Sequence, residues 1–299
     1  MGATPGIQKN SNFVMKNIGV IGSGFGLYGY AVALNSLGFS IYTLQKYSNF
    51  INERNDLVNI PFKYVKNESE LVDYCSDVVI ARTPELQKNF LEKYHDKFDN
   101  FFLEKPLGSN RAQHIQIIEF LGEKKVSFKL GYLFKYTDWY REVGCIFSKY
   151  DNLEIRISWN LKRDLVGWKK YINSESALFN NYAIQFFEMF YNLKLLQFNH
   201  FSTTPNSILV TGVSPLNAER KCILEINKDS GVDSFVLEVW GDEILKFQYF
   251  SIDPLGKREF IPRDYRIPAL IKHIESNLKN TNCFNVENLI LNFRDKFNV

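Results

Sequence analysis

The 299-residue chain has no apolar run approaching the roughly 18 residues that a membrane span requires. Cysteine is scarce: Cys75, Cys145, Cys222 and Cys283 are the only four, and none forms a CxxC pair. This argues against a disulfide framework or a cysteine-ligated zinc, and it fits a reducing compartment. The four histidines, His95, His114, His200 and His273, form no HExxH and no pair at metal-ligand spacing, so no metal is expected. Basic runs are lacking too. The formal net charge is +3, with 36 Lys and Arg interspersed among 33 Asp and Glu, so neither nucleic acid nor an anionic membrane is an expected partner. The polar stretch 1–12 lacks the apolar core of a signal peptide, and Gly6 stands where a myristoylation signal wants Ser or Thr. There is no internal repeat and no low-complexity linker. The expectation is a soluble, cytoplasmic protein whose fold begins near Asn17.

What is present is a globular composition, 45% hydrophobic and 23% charged, in a chain long enough for two domains. Short apolar runs at 17–22, 39–44, 62–65, 77–81 and 101–103 read as strands. They alternate with helical stretches at 28–37, 68–75, 84–97 and 109–122. Strand and helix in turn, with apolar strands, predict a doubly wound parallel sheet covered on both faces, over residues 16–126. Beyond this the texture changes. Residues 127–134, 153–161, 195–201, 208–211, 220–226, 234–240 and 244–250 alternate apolar with polar side chains. With helices at 138–148, 177–193 and 268–278, they predict an α+β domain over 127–299 built on a large, mostly antiparallel sheet.

Between the first strand and its helix stands Gly22-Ser23-Gly24-Phe25-Gly26-Leu27. Glycine there permits a tight turn and removes the Cβ that would keep a diphosphate from the backbone, and the helix N-terminus behind it offers N–H groups. The match to GxGxxG is imperfect, since Leu27 takes the last position and Gly29 lies two residues beyond. The placement nevertheless predicts a nicotinamide dinucleotide site of Rossmann type. The end of the second strand, where a carboxylate commonly meets the ribose 2′-hydroxyl, reads Gln45-Lys46. Lys46 suits a 2′-phosphate, which leans the expectation from NAD towards NADP.

Together the loop at Gly22–Gly26, the Ala81-Arg82-Thr83-Pro84 run after the fourth strand and Glu104-Lys105-Pro106 after the fifth resemble the Gfo/Idh/MocA oxidoreductases, the glucose–fructose oxidoreductase and inositol dehydrogenase family. Gly167-Trp168-Lys169 and the helix after it resemble that family's substrate-side segment. The resemblance implies a Rossmann domain followed by a sheet domain that pairs copies into a homodimer or homotetramer, and a role in carbohydrate metabolism. It places Lys105 between nicotinamide and substrate, with Glu104 beside it. An ammonium there can polarise a hydroxyl or a carbonyl. Thr83 and Pro84 would border the cofactor, and Trp168 and Lys169 the substrate.

One departure bears on the chemistry. Where the family's substrate-side helix carries an aspartate and, four residues on, a histidine, this chain has Asn181 and Gln185. Neither amide transfers a proton near neutral pH, although both can orient a ligand by hydrogen bonds. Proton transfer would fall to Lys105, to Tyr182, to a substrate group or to water. Three readings stay open: an NAD(P)-dependent oxidoreductase of a sugar, nucleotide sugar or polyol; a reductase of an imine or conjugated system; and a non-catalytic descendant that binds dinucleotide or sugar.

Overall fold

The computed structural model describes residues 16–162, 174–228, 230–256, 264–276 and 282–299. Its first sheet contains β1 (Asn17–Ile21), β2 (Ser40–Leu44), β3 (Lys63–Val65), β4 (Asp77–Ile80), β5 (Asn100–Leu103) and β6 (Phe128–Leu130). They lie in the order β3-β2-β1-β4-β5-β6, every neighbouring pair parallel. Ile18, Val20 and Ile21 of β1 and Val78, Val79 and Ile80 of β4 are all buried. Such strands are apolar on both faces because helices cover both. The crossovers carry α1 (Val32–Ser36), α2 (Ser48–Asn52), α3 (Leu71–Tyr74), α4 (Pro84–Tyr94) and α5 (Arg111–Glu123). Proline opens α4, and the Asn110 side chain caps α5 by accepting from Gln113 N.

After α6 (Asp138–Phe147) come β7 (Glu154–Leu161), α7 (Ser174–Asn181), α8 (Phe187–Asn192) and β8 (Gln197–Thr203). They are followed by β9 (Ser207–Val213), β10 (Lys221–Lys228), β11 (Ser234–Gly241) and β12 (Ile244–Ser251). The second sheet runs β12-β11-β7-β10-β9-β8, antiparallel except where β7 lies parallel to β10. Its two-residue period is plain in β7, where Ile155, Ile157, Trp159 and Leu161 are buried and Arg156, Ser158 and Asn160 face the other way. The chain closes with α9 (Ile267–Glu275), packed on α1, and α10 (Asn282–Phe297), packed on α5 and α8.

The α/β architecture expected from the pattern is found, with four differences in detail. Residues 127–134, read as an antiparallel strand, supply β6 to the parallel sheet instead. Lys129 made this strand look half-solvated, yet it is 2% exposed. Its ammonium donates to the carbonyls of His273, at 3.1 Å, and of Ser276, which satisfies it inside. The helix expected at 28–37 starts as a π turn over Gly26–Ala31 and becomes α-helical only in α1. The helix expected at 177–193 is broken after Asn181, resuming as a 3-10 turn over Ala183–Phe186 and then α8. Finally, α10 was not foreseen at all.

Aromatic side chains join the layers. Trp159 and Phe235 from the second sheet meet Phe186 at 6.1 and 6.2 Å between ring centroids, and Phe134 lies 4.9 Å from Phe186. A second cluster centres on Phe293 of α10, whose ring lies 5.2 Å from Phe179, 4.9 Å from Phe187 and 5.1 Å from Phe198. Such ring pairs add to the burial of large apolar surface.

Candidate functional site

A cavity of about 730 Å³ opens along the carboxyl ends of the parallel strands, the edge at which open α/β sheets bind ligands. Every strand from β1 to β5 contributes through the turn that follows it. From β1 come Gly22, Ser23, Gly24, Phe25 and Tyr28; from β2, Lys46 and Tyr47; from β3, Glu68. The turn after β4 gives Ala81, Arg82 and Thr83, the first turn of α4 gives Leu86, and the turn after β5 gives Glu104 and Lys105. Asn181 of α7 and Arg266, just before α9, complete the wall.

Gly22 has φ +130°, and a Cβ on it would sit 2.2 Å from the Ala81 carbonyl oxygen, so only glycine fits between β1 and β4. Gly24 has nothing within 4 Å of where its Cβ would be, which leaves its backbone open to a ligand. The chain then turns sharply, with Leu27 N donating to Gly24 O at 2.9 Å. Gly29 serves a different purpose: a Cβ there would lie 2.3 Å from Phe25 Cε2, so this glycine makes room for an aromatic ring. A bare, sharply turned backbone at the mouth of a cavity of this size fits the diphosphate of a dinucleotide.

At the other side of the crevice the Gln87 side chain clasps the end of β5. Its Nε2 donates to Glu104 O at 2.9 Å, and its Oε1 accepts from Glu104 N at 3.0 Å. The amide thus acts as a short extra strand and fixes the backbone that carries Lys105. The Lys105 ammonium is half-buried and donates to the Asn181 main-chain carbonyl at 2.6 Å. This carbonyl lies in the last turn of α7, where helical carbonyls lack partners within the helix and the dipole favours a cation. The break after Asn181 therefore creates the acceptor that holds the lysine. The Lys105–Pro106 peptide is cis. Beneath it Tyr30 is fully buried, and burial together with the nearby Glu104 carboxylate pushes its phenol well above the ordinary range.

At the β2–β3 end, Arg82 Nη1 meets Glu68 Oε1 at 2.6 Å and Arg82 Nη2 donates to Tyr47 OH at 3.4 Å. Lys46 is exposed, its ammonium 5.5 Å above the Tyr47 ring. A carboxylate thus stands in the region where a 2′-phosphate was expected, and the lean towards NADP gains no support. Arg266 Cζ lies 3.7 Å over the Phe25 ring, and Asp264 accepts from its Nε and Nη2 at 2.9 and 2.6 Å. Burial opposes its charge, but Asp264 more than offsets this and raises the guanidinium's pKa.

Of the expected residues, Gly22, Ser23, Gly24, Phe25, Lys46, Thr83, Glu104, Lys105 and Asn181 come together around the cavity. Gly26 and Leu27 are buried behind the loop, Pro84 is buried at the start of α4, and Gln45 is exposed; none of these lines the cavity. Tyr182 packs edge-on against Trp159, 5.1 Å between centroids, and Gln185 sits half-buried in the 3-10 turn; neither reaches the wall. The Asn181 side chain donates to Ala177 O at 2.8 Å within its own helix, so this residue's main chain is what touches Lys105. Trp168 and Lys169 lie outside the described residues. Sequence reasoning missed Tyr28, Tyr47, Glu68, Leu86 and Arg266. Arg82 stood inside a recognised motif; the others carry no local signal.

No protein-family model matches the chain, and no curated protein sequence matches it. Solved structures do. A myo-inositol dehydrogenase from Corynebacterium glutamicum ATCC 13032 superposes with a TM-score of 0.68 at 13% identity, covering 93% of this chain and 93% of that one. GenD2 from gentamicin A biosynthesis, in complex with NAD, gives 0.68 at 14% identity over 97% of this chain and 95% of that one. A myo-inositol dehydrogenase from Lactobacillus casei, in complex with NAD(H) and myo-inositol, gives 0.61 at 15% identity over 79% and 74%. At these identities the likeness establishes the fold: a Rossmann-type parallel sheet followed by an open, mostly antiparallel one.

Proposed function

We propose that this chain is an NAD-dependent oxidoreductase of the Gfo/Idh/MocA type, acting on a sugar, nucleotide sugar or related polyol. One observation carries the reading: an ammonium, Lys105, and a bare glycine turn, Gly22–Gly24, line the same crevice at the carboxyl ends of parallel strands. The fold shared with GenD2 in complex with NAD and with a myo-inositol dehydrogenase in complex with NAD(H) supports it. NAD is favoured over NADP because these two solved structures that share the fold hold NAD or NAD(H), and because Arg82 at the β2–β3 end is already paired with Glu68.

When bound, the nicotinamide supplies the hydride acceptor. The glycine turn holds the diphosphate by backbone N–H groups, and Lys105 holds the reacting oxygen of the substrate. Oxidation of a substrate hydroxyl would release a hydride, which the bound dinucleotide would accept, and a proton, which Lys105 would take as its neutral amine or which would pass to water. Lys105 therefore orients the oxygen and stabilises the charge that develops on it. No side chain of the Asn181–Gln185 segment is required as the acid or base.

The test is in two stages. Nicotinamide fluorescence on titration with NADH and NADPH should show binding, tighter for NADH; no binding of either removes the reading. A screen of inositols and sugars with NAD, followed at the nicotinamide absorbance band, should show turnover. Lys105→Met is expected to lower kcat by about 10²–10⁴-fold while NADH still binds. Unchanged kcat would show that Lys105 has no catalytic role.

A further inference from the structure

Arg266 reaches the cavity from the far end of the chain, and its position beside the glycine turn needs a reason. A guanidinium that only stapled its own turn to Asp264 would have no need to lie there. It is stacked 3.7 Å over Phe25, the residue that follows Gly24, while Asp264 takes Nε and Nη2. Those two bonds leave Nη1 outside the pair, and ring and carboxylate together fix the plane of the guanidinium. The base of this arm is also fixed behind the turn, because α9 packs on the π turn Gly26–Ala31 and on α1.

The charges around the crevice point the same way. A diphosphate brings two negative charges, whereas backbone N–H groups supply only partial ones. Among the described residues lining the cavity the cations are Lys46, Arg82, Lys105 and Arg266. Arg82 is engaged by Glu68 and Tyr47 at the β2–β3 end, and Lys105 by Asn181 at the opposite one. Arg266, although paired with Asp264 through Nε and Nη2, is the guanidinium stacked on Phe25, the residue next to Gly24.

We propose that Arg266 clamps the diphosphate of the bound dinucleotide against the glycine turn, with Phe25 and Asp264 pre-setting its plane. This rests on the cofactor reading above and extends it to a residue more than two hundred positions from the turn. A planar guanidinium recognises phosphate oxygens by paired hydrogen bonds, and holding it in place beforehand lowers the entropic cost of binding.

The test measures binding of three probes to the full chain: NADH; ADP-ribose, which keeps the diphosphate but lacks nicotinamide; and adenosine, which lacks both. Arg266→Gln is expected to weaken NADH and ADP-ribose alike by about ten- to hundredfold, with adenosine unchanged. Circular dichroism and thermal unfolding check that the variant is folded. If Arg266→Gln does not fold, Arg266→Lys carries the test, because lysine keeps the charge but loses the fork and the stack. It should then weaken both diphosphate probes together by severalfold. Equal binding by wild type and variant overturns the clamp, and so does a loss confined to NADH, which would place Arg266 at the nicotinamide. Wild type that binds none of the three probes overturns the cofactor reading itself.

Discussion

At the scale of single residues, the site depends on atoms that are absent as much as on those present. Gly22 is the sharpest case, with a positive φ and the Ala81 carbonyl 2.2 Å from where a Cβ would be. Gly22→Ala must push β1 and β4 apart at the mouth of the crevice. It is expected to cost about 1–3 kcal/mol of stability and to abolish NADH binding, as read by thermal unfolding and fluorescence titration. A variant with wild-type affinity would show that the turn does not meet the ligand. The importance of this turn was legible in the sequence. The separate purpose of Gly29 was not, because only the placed ring of Phe25 reveals it.

Among the elements, those with a strong period were read from sequence and those without one were missed. The strands of the second sheet were found because apolar and polar residues alternate along them. Helix α10 was missed because its run, Asn282–Phe297, mixes Asn, Glu, Arg, Asp and Lys with its apolar residues, and Arg294 and Glu287 are wholly buried. Buried polar groups defeat a pattern that assigns them to the surface. Glu287 accepts from Tyr132 OH at 2.6 Å and lies 2.7 Å from His114 Nε2, which ties α10 to the segment after β6 and to α5. Helix α9 holds a titratable example. Burial, with Lys135 and Lys129 adding to it, lowers the pKa of His273 to about 3. The unfolded chain takes up this proton near its ordinary value of about 6.5, and the folded chain does so only near the lowered one. Stability is therefore expected to be full above pH 6.5 and to fall as the pH drops towards 3, on the order of 5 kcal/mol across the window. His273→Asn should flatten this part of the pH profile of urea unfolding. A slope equal to wild type would show that another group sets it.

For the whole molecule, the chain's 26 Phe and 16 Tyr help to explain how the layers cohere. Phe293 is 1% exposed, and its ring joins α10 to α7, α8 and β8 through Phe179, Phe187 and Phe198. Phe293→Ala removes the centre of that cluster and is expected to cost about 3–5 kcal/mol, seen as a lower urea midpoint. A loss below 1 kcal/mol would mean that the cluster repacks. The two layers could be read separately from sequence. Their joint could not, since it is made by residues far apart in the chain with no local pattern in common.

The lysine at the end of β5 grips an oxygen that every amino acid carries, because its partner at position 181 is the main chain. Substitutions at 181 can thus change the side chain on the cavity wall without releasing the ammonium. That permits drift: an aspartate can give way to an asparagine, and later to something else, while the reacting end of the crevice keeps its shape. The side chain at 181 is free to change on one side of a peptide unit while the main chain on the other keeps hold of the lysine.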